Sequence, residues 1–258
     1  MAIVNVTPDS FSGDGLGPEA ATEAGALAAE FAAAGADLID VGGESTRPGA
    51  TAVPLEDEAA RVLPAIQAIR ASTDLPISID TQHAAVADIA LSGGADIVND
   101  IWGLRGDGRM AEVVASHGAG LVAMHNQRGR ESGDVIADVT AGWNESLAIA
   151  ARSGIAPERI ILDPGFGFGW AAQANLELVR RLGELTAAGF PILLGPSRKS
   201  TIGLVIDAPA GERLEGTAAA VAIAIAQGVD LVRVHDVASM RKVAAVADAI
   251  TRGHWRAP

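Results

Sequence analysis

The chain of 258 residues contains no cysteine. That absence excludes disulfide bonds, cysteine-ligated zinc, iron–sulfur clusters and thiol nucleophiles. The sequence also lacks any apolar run of the roughly 18–20 residues that a membrane-spanning helix needs, and its first residues do not form a basic segment followed by an apolar signal core. We therefore expect a cytoplasmic protein without a membrane partner.

Positive charge is scarce as well. Lys and Arg number 19 against 32 Asp and Glu, which gives a formal net charge of −13 at pH 7. Nucleic-acid binding needs basic stripes that neutralise phosphates, so we expect no nucleic-acid partner. An acidic, solubilising surface explains most of the negative charge. A small anionic ligand held in a locally basic pocket is still compatible with it.

Short apolar runs, by contrast, are abundant, and 49% of the residues are hydrophobic. Eight of these runs predict β-strands. Most of them show little alternation with polar residues, which is typical of parallel strands buried on both faces. The predicted strands are Ile3–Val6, Leu38–Val41, Ile77–Asp80, Ile97–Asn99, Leu121–Met124, Ile160–Asp163, Ile192–Leu194 and Leu231–His235.

Alanine-rich stretches between the strands have the spacing of amphipathic helices. The residues expected on two buried helix faces are Val62, Ile66 and Ile69 in one stretch and Leu178, Leu182 and Leu185 in another. The glycines expected to end helices before the next strand are Gly35, Gly94 and Gly189.

Eight strand–helix alternations predict an α/β protein with the fold of a (β/α)₈ TIM barrel, as a single domain over residues 1–258. An active site in such a barrel lies at the carboxyl ends of the strands. A doubly wound open sheet is the alternative. It is disfavoured by the eight regular repeats and by the lack of a Gly-x-Gly-x-x-Gly segment after the first strand.

Polar residues recur where the predicted strands end. They are Asn5, Asp40, Asp80, Asn99, His125, Asp163, Ser197, Arg233 and His235. Any one of them is compatible with an ordinary cap or turn. Because the strand ends of a barrel share one rim, the whole set predicts a single polar pocket there.

Two early loops carry groups suited to anions and to a cation. Asn5 offers a neutral oxygen to a hard cation such as Mg²⁺, which keeps few protein ligands and takes others from water or phosphate. Residues 7–10 equally fit a plain Pro-Asp turn. In the loop over residues 40–49, paired glycines precede Ser45, Thr46 and Arg47, which supply hydroxyl and guanidinium donors for an anion.

A flat nitrogen heterocycle would suit the middle of the rim. Asp80 and Asp163 supply carboxylates that accept parallel N–H bonds, and Asn99 supplies an amide for a neighbouring donor–acceptor pair. Met124 is close enough in sequence to form an apolar floor, although methionine at a strand end is more often a core residue.

The last two strands bring cations to the rim. The loop over residues 195–203 contains adjacent cations, Arg198 and Lys199, without the spacing of a phosphate-binding Walker loop. Arg233 and His235 alternate on the last strand, so both are expected to point the same way. A buried arginine needs an anion. The residues predicted to form a diphosphate site are Asn5, Arg47, Arg233 and His235.

Seven segments, in order, resemble the dihydropteroate synthase family of the folate pathway. The segments are NVTPDSFS, DVGGESTRPGA, SIDT, VNDI, LDPGFGFG, GPSRKS and VRVHDV. The resemblance extends from Ile3 to about Val246, and the segments are highly specific in combination. By this resemblance the chain would join 6-hydroxymethyl-7,8-dihydropterin diphosphate to p-aminobenzoate and release diphosphate. Mg²⁺ would assist, and sulfonamides would compete with p-aminobenzoate.

The resemblance also implies residue roles. The implied pterin ligands are Asp80, Asn99, Met124, Asp163, Lys199 and Arg233. The implied diphosphate ligands are Asn5, Thr46, Arg233 and His235, with Asn5 also the Mg²⁺ ligand. The implied p-aminobenzoate contacts are Thr46, Arg47, Pro48, Phe168 and Ser197. The catalytic set is Asp40, Arg47, Asp80 and Lys199, in which Asp40 and Asp80 would stabilise a methylene cation or order the loops.

The sequence departs from the family pattern at Trp170, where lysine is usual, and at residues 12–15, where the order of Gly13 and Asp14 is exchanged. Two alternatives stay open: a non-catalytic pterin-binding paralogue and a pterin-dependent methyltransferase. A homodimer through the late barrel helices is implied by the resemblance alone, and the alanine-rich face of Thr217–Gln227 fits barrel packing equally well. His83, His117 and His254 are expected at the surface or at helix caps.

Overall fold

The computed structural model describes residues 1–7, 18–44 and 53–253. The strands are β1 (Ala2–Asn5), β2 (Ile39–Gly42), β3 (Ile77–Asp80), β4 (Ile97–Asp100), β5 (Gly120–Met124), β6 (Ile160–Asp163), β7 (Leu193–Leu194) and β8 (Leu231–Val232). The helices are α1 (Pro18–Ala33), α2 (Leu55–Ser72), α3 (Ala84–Ser92), α4 (Met110–His117), α5 (Val135–Arg152), α6 (Ala172–Leu185), α7 (Ser200–Ile206), α8 (Leu214–Ala226) and α9 (Val237–Arg252).

The strands are all parallel and follow one another around a closed barrel. Strands β1 to β6 pair in sequence order, and β7 pairs with β8. Parallel bridges between Leu162 and Ile192 and between Ala2 and Val234 join these two sheets at both edges. The predicted (β/α)₈ barrel is therefore confirmed over the described residues, and the open sheet is excluded.

Strand bounds agree with the prediction to within one residue except at β8, which ends at Val232 rather than at His235. The reason is a change of backbone partner. The Arg233 N–H still donates to the carbonyl of Leu194 in β7 at 3.0 Å, but the Val234 N–H donates to Met1, next to β1, at 3.0 Å. The chain thus crosses from one neighbour to the other where the barrel closes.

Alternation along each strand separates the helix-facing core from the barrel interior. In β2, Ile39 and Val41 belong to the large core that also contains the α2 and α6 residues. Asp40 lies between them and points the other way, into the barrel. A second, smaller apolar cluster fills the amino-terminal end of that interior, and its buried members are Met1, Leu38, Val122 and Leu193. The interior is therefore apolar at one end and polar at the carboxyl end.

The helix predictions hold in the structure. Val62, Ile66 and Ile69 on α2, and Leu178, Leu182 and Leu185 on α6, are all buried against the strands. The three glycines expected to end helices have positive φ angles of 88°, 114° and 75°. Among the described residues, no helix is long and apolar enough to cross a membrane. That residues 1–258 form a single domain stays a prediction.

Candidate active site

The carboxyl rim of the barrel carries most of the residues that the sequence singled out. Those that lie at or next to the end of a strand, or in the loops that follow, are Asn5, Asp40, Asp80, Asn99, Met124, Asp163, Phe168, Ser197, Lys199, Arg233 and His235. Thr46, Arg47 and Pro48 lie outside the described residues, as does His254.

Ion pairs between Arg233, just after β8, and the aspartates of β2 and β3 occupy the centre of this rim. The Arg233 guanidinium contacts Asp40 Oδ2 through Nη2 at 2.5 Å and through Nε at 2.6 Å, and Nη2 donates to Asp80 Oδ2 at 2.7 Å. The Asp40 side chain is fully buried, and that of Asp80 is 15% exposed. The protein itself thus supplies the anions that a buried Arg233 needs.

Further donors hold Asp40 in place. Asn99 Nδ2 lies 3.3 Å from each Asp40 carboxylate oxygen, and the Ser78 hydroxyl donates to Oδ1. Sequence reasoning missed Ser78. The signal that could have found it is its position two residues before Asp80, which puts both side chains inside the barrel. Asp40 is therefore a buried hub that orients its neighbours rather than a freely accessible carboxylate.

Asp80 retains one unsatisfied oxygen. Its Oδ1 is buried and has no hydrogen-bond partner among the described residues. Burial raises the pKa of Asp80 to about 7, against the opposing effect of the Arg233 cation. Gly42 keeps the space beside this carboxyl open, because a Cβ atom there would lie 3.6 Å from Asp80 Cβ and 3.7 Å from Asn5 Oδ1.

Asp163 is held by the loop that follows β6. Its Oδ1 accepts the Gly165 N–H at 2.7 Å, and its backbone carbonyl accepts Trp143 Nε1 at 3.0 Å and the His125 N–H at 2.8 Å. Burial raises the pKa of Asp163 to about 6, and the Lys199 cation opposes that rise. The residue is 7% exposed at the rim, where a ligand can reach its carboxyl.

The Lys199 ammonium lies between the loops after β6 and β7. It donates to the Phe166 carbonyl and lies 4.3 Å from the centre of the Phe168 ring. Burial lowers the pKa of Lys199 to about 8, while the Asp163 carboxylate raises it. The Arg128 guanidinium lies 5.0 Å from the same ring. Phe168 therefore contacts two cations, and Arg128 is a neighbour that sequence reasoning missed.

Glycines allow the loop after β6 to pack this tightly. Gly165 has a φ of +76°, and a Cβ atom on it would lie 1.9 Å from the His125 carbonyl oxygen. Gly167 has a φ of +82°, and its Cβ would lie 2.6 Å from Lys199 Cδ. The alternation of glycine with phenylalanine thus places the aromatic rings while the backbone follows the rim.

We expect Gly165→Ala to lower the free energy of unfolding by about 3–4 kcal/mol, because a left-handed backbone and a clash with a backbone oxygen add. Gly118→Ala is the matched control. Gly118 also has a positive φ, +59°, but no atom lies within 4 Å of its added Cβ. It should cost only about 1 kcal/mol. Urea denaturation of both variants measures the difference, and equal losses would contradict this account of the loop.

Ser197 and His235 form a separate pair at the rim. The Ser197 hydroxyl lies 3.0 Å from His235 Nδ1, and the His235 backbone N–H donates to it at 3.2 Å. The pair joins the loop after β7 to the end of β8, which are the segments predicted to meet p-aminobenzoate and diphosphate.

The prediction that His125 lines the pocket is wrong. Its side chain is fully buried, and a Cβ atom on Gly142 of α5 would lie 2.0 Å from its Nδ1. His125 therefore faces α5, because it follows the inward-facing Met124 by one residue. Burial lowers its pKa to about 4, so that the ring is neutral near pH 7.

Trp170, the unusual residue of the loop, packs on the His125 ring with the two ring centres 5.7 Å apart. It is 8% exposed and belongs to the helix-facing core. The departure from lysine thus lies on the core side of the loop. The surface prediction is confirmed for His117, which pairs with Asp88 at 2.7 Å at the end of α4.

Comparison with known proteins decides the family. The family described as pterin binding enzyme matches residues 1–235. The chain is 45% identical over 250 residues to the dihydropteroate synthase of Bacillus subtilis. The match covers 97% of this chain and 87% of the relative. The chain belongs to the dihydropteroate synthase family.

Solved structures agree with this assignment. A dihydropteroate synthase of Clostridium difficile, determined with pteroic acid, is 46% identical with a TM-score of 0.94, and the match covers 97% of this chain and 95% of that one. A Xanthomonas albilineans dihydropteroate synthase, determined with 4-aminobenzoic acid, is 41% identical with a TM-score of 0.91, covering 96% and 91%. The resemblance inferred from the seven segments is confirmed, and the rim is the candidate site of a dihydropteroate synthase.

Proposed function

We propose that this protein condenses 6-hydroxymethyl-7,8-dihydropterin diphosphate with p-aminobenzoate to give 7,8-dihydropteroate and diphosphate. The observation that carries the proposal is the buried Asp163 carboxyl. One of its oxygens is held by the Gly165 N–H, and the carboxyl lies at the rim near the Lys199 cation. An aminopyrimidine edge presents two adjacent N–H donors that such a carboxyl accepts.

The remaining pterin contacts follow from the rim geometry. Asn99 and Asp80 are paired across adjacent strands, so both would contact the same side of the heterocycle. Met124 pairs with Asp163 across β5 and β6 and is buried beneath the pocket as an apolar floor. Lys199 and Arg233 add positive charge. We assign all six residues to pterin binding.

The bond changes need no protein nucleophile. The bond between the methylene carbon and the diphosphate oxygen breaks, and its electron pair leaves with diphosphate. The arylamine nitrogen then attacks the methylene carbon and loses a proton to water. The pterin ring delocalises the intermediate cation, and Asp40 and Asp80 contribute negative charge nearby. This dissociative route makes stabilisation of the leaving group the main electrostatic task.

Asn5 fits the role of a Mg²⁺ ligand. Gly42 leaves room between Asn5 and Asp80, and one amide oxygen suits a cation that takes its other ligands from water and diphosphate. When bound, Mg²⁺ would neutralise charge on the leaving diphosphate. His235 and Arg233 are the described residues that we assign to the same diphosphate, together with Thr46.

The p-aminobenzoate side is proposed from Phe168 and Ser197 together with Thr46, Arg47 and Pro48. The Phe168 ring provides an aromatic wall, and the Lys199 and Arg128 cations near it could pair with a carboxylate. We propose that sulfonamides compete at this side. The check is steady-state inhibition by a sulfonamide, which should raise the KM for p-aminobenzoate and leave kcat unchanged. A lowered kcat at saturating p-aminobenzoate would contradict the shared site.

The direct test is diphosphate release by the purified protein. We expect turnover that requires both substrates and falls strongly when Mg²⁺ is chelated. Pterin diphosphate bound without turnover would point to a non-catalytic paralogue instead. Methyl transfer from a methylated pterin to a corrinoid protein would point to a methyltransferase.

We also propose a cytoplasmic homodimer. Large apolar side chains are exposed on the late helices, namely Leu204, Val205 and Ile206 on α7, Ile223 on α8, and Val246 and Ile250 on α9. Their number supports a partner surface there. Light scattering should give twice the chain mass, and Val246→Glu with Ile250→Glu should give the monomer if this surface is used.

A further inference from the structure

A second cluster of ligand atoms lies outside the pocket, at the base of the loop after β2. It consists of Glu44, at the start of that loop, Glu58 on α2 and His83, which precedes α3. His83 Nε2 lies 3.6 Å from Glu44 Oε2 and 3.9 Å from Glu58 Oε2. One ligand atom from each residue lies within 4.8 Å of the other two.

Glu58 is the most informative member of the cluster. Its side chain is fully buried, and neither carboxylate oxygen has a hydrogen-bond partner among the described residues. Burial raises its pKa to about 7. A buried carboxylate without a partner is costly. This one is directed at a histidine and a second carboxylate that lie too far away for hydrogen bonds.

A supporting layer orients Glu44. Gln82 Nε2 donates to Glu44 Oε2 at 3.1 Å, and Trp102 Nε1 fixes Gln82 by donating to its Oε1 at 2.8 Å. The Val53 N–H donates to Glu44 Oε1 at 3.1 Å. Hydrogen-bonded outer residues of this kind typically hold metal ligands in position. Glu44 also links the two described ends of the segment that contains Thr46, Arg47 and Pro48.

The ligand atoms of the cluster lie somewhat farther apart than they would around a bound metal ion. A tetrahedral ion with bonds of about 2.1 Å separates neighbouring ligand atoms by about 3.4 Å. His83 Nε2 lies 3.6 and 3.9 Å from the two carboxylate oxygens, and all three ligand atoms lie within 4.8 Å of one another, so the side chains would have to rotate toward the ion. Two carboxylates neutralise a divalent ion, and an imidazole ligand favours transition metals over Mg²⁺.

We propose that Glu44, Glu58 and His83 bind a divalent transition-metal ion of the Zn²⁺ class, with water completing its coordination. This site is separate from the Mg²⁺ assigned to Asn5 and independent of turnover. It would tie α2 and the turn before α3 to the base of the loop after β2.

Zn²⁺ titration of the whole chain, in buffer without diphosphate or substrate, tests the proposal. Isothermal calorimetry should show one site in the unmodified protein. Glu58→Gln and His83→Gln should each weaken it at least ten-fold. His117→Gln is the matched control, since His117 pairs with a single exposed carboxylate at the surface. It should leave the affinity unchanged.

Co²⁺ gives an independent readout. Its visible absorption should appear with one equivalent in the unmodified protein and be lost in His83→Gln. The His83 side chain is 30% exposed, so we expect this variant to fold. Should Glu58→Gln fail to fold, His83→Gln alone decides. A protein that binds no Zn²⁺, or variants that bind as the unmodified protein does, would overturn the proposal. The cluster would then be no more than a contact of His83 with two carboxylates.

Discussion

Arg233→Met is expected to lower the free energy of unfolding by about 3–5 kcal/mol at pH 8 and to abolish turnover. The substitution keeps the length and apolar part of the side chain but removes the guanidinium. Asp40, which is fully buried, and Asp80, which is nearly so, would then lose their shared cation. Breaking a buried pair from one side is costly because the remaining charge is left without compensation.

Arg181→Met is the matched control. The Arg181 and Arg233 side chains are both 21% exposed, and Arg181 also contacts several carboxylates, those of Asp134, Glu177 and Glu184. Those partners are 38–52% exposed, so water solvates them when the cation is lost. Urea denaturation should therefore show a far smaller change for Arg181→Met. Equal changes would mean that the buried pair at the rim contributes no special stability.

The pH dependence of this loss has a definite sign. The pKa of Asp80 is about 7 in the folded protein, well above the roughly 3.9 of an unfolded chain. When the pKa of a carboxyl is higher in the folded state, the folded protein loses stability as the pH rises from the unfolded-state pKa to the folded-state pKa. Without Arg233 that folded pKa rises further. The difference between Arg233→Met and the unmodified protein should therefore grow between pH 6 and pH 8.

Asp163→Asn is expected to weaken pterin binding by roughly 100-fold or more while making the protein more stable at pH 7. The amide keeps an oxygen for the Gly165 N–H but presents its NH₂ group to the donors of an aminopyrimidine edge. Losing a carboxylate that accepts two hydrogen bonds from the ligand weakens the binding free energy by about 3 kcal/mol. Calorimetry with the pterin substrate measures the loss, and unchanged affinity would show that Asp163 does not hold the ring.

The stability gain follows from the same burial. Because the folded pKa of Asp163 is about 6, ionising this carboxyl costs stability as the pH rises from about 4 to about 6. At pH 7 the neutral amide avoids that cost, and we expect a gain of about 1–2 kcal/mol. Pterin affinity of the unmodified protein should correspondingly fall as the pH drops below 6, since the protonated carboxyl loses one acceptor.

Asp100→Asn is the matched control, for which we expect a loss of stability and no change in pterin affinity. Asp100 is as deeply buried, but both of its oxygens accept backbone N–H groups, those of Trp102 at 2.9 Å and Leu104 at 2.7 Å. Its replacement should destabilise the turn after β4 and leave pterin affinity unchanged. A shared loss of affinity in both variants would indicate a general effect of removing buried acids.

The strands were predictable because each is short, apolar and bounded by a polar residue or a glycine. The helix faces on α2 and α6 were predictable from spacing alone, since burial follows the helical period. Asp163 and Lys199 were identified from their loops, whose residue types are unusual for plain turns. Residue types alone predicted that Thr46 and Arg47 bind an anion, and the resemblance to the family added their contact with p-aminobenzoate.

Pairing across the barrel was not predictable. Arg233 and Asp40 are 193 positions apart in the chain, and they meet because β8 closes against β1 beside β2. The predicted direction of the His125 side chain was wrong, because adjacent residues on a strand point to opposite faces of the sheet. Trp170 could not be assigned before the structure placed it against His125 in the core.

By itself, the sequence determined eight apolar strands in order, the polar residue at the end of each, and the glycine-rich loop after β6, because these depend on local spacing and residue type. Only the tertiary structure decided which charges neutralise one another. Barrel closure places Asp40 and Asp80 against Arg233 and leaves Asp163 beside Lys199, and it buries Glu58 without a hydrogen-bond partner among the described residues. Those contacts depend on the distances between strands and helices remote in sequence, which no local pattern contains.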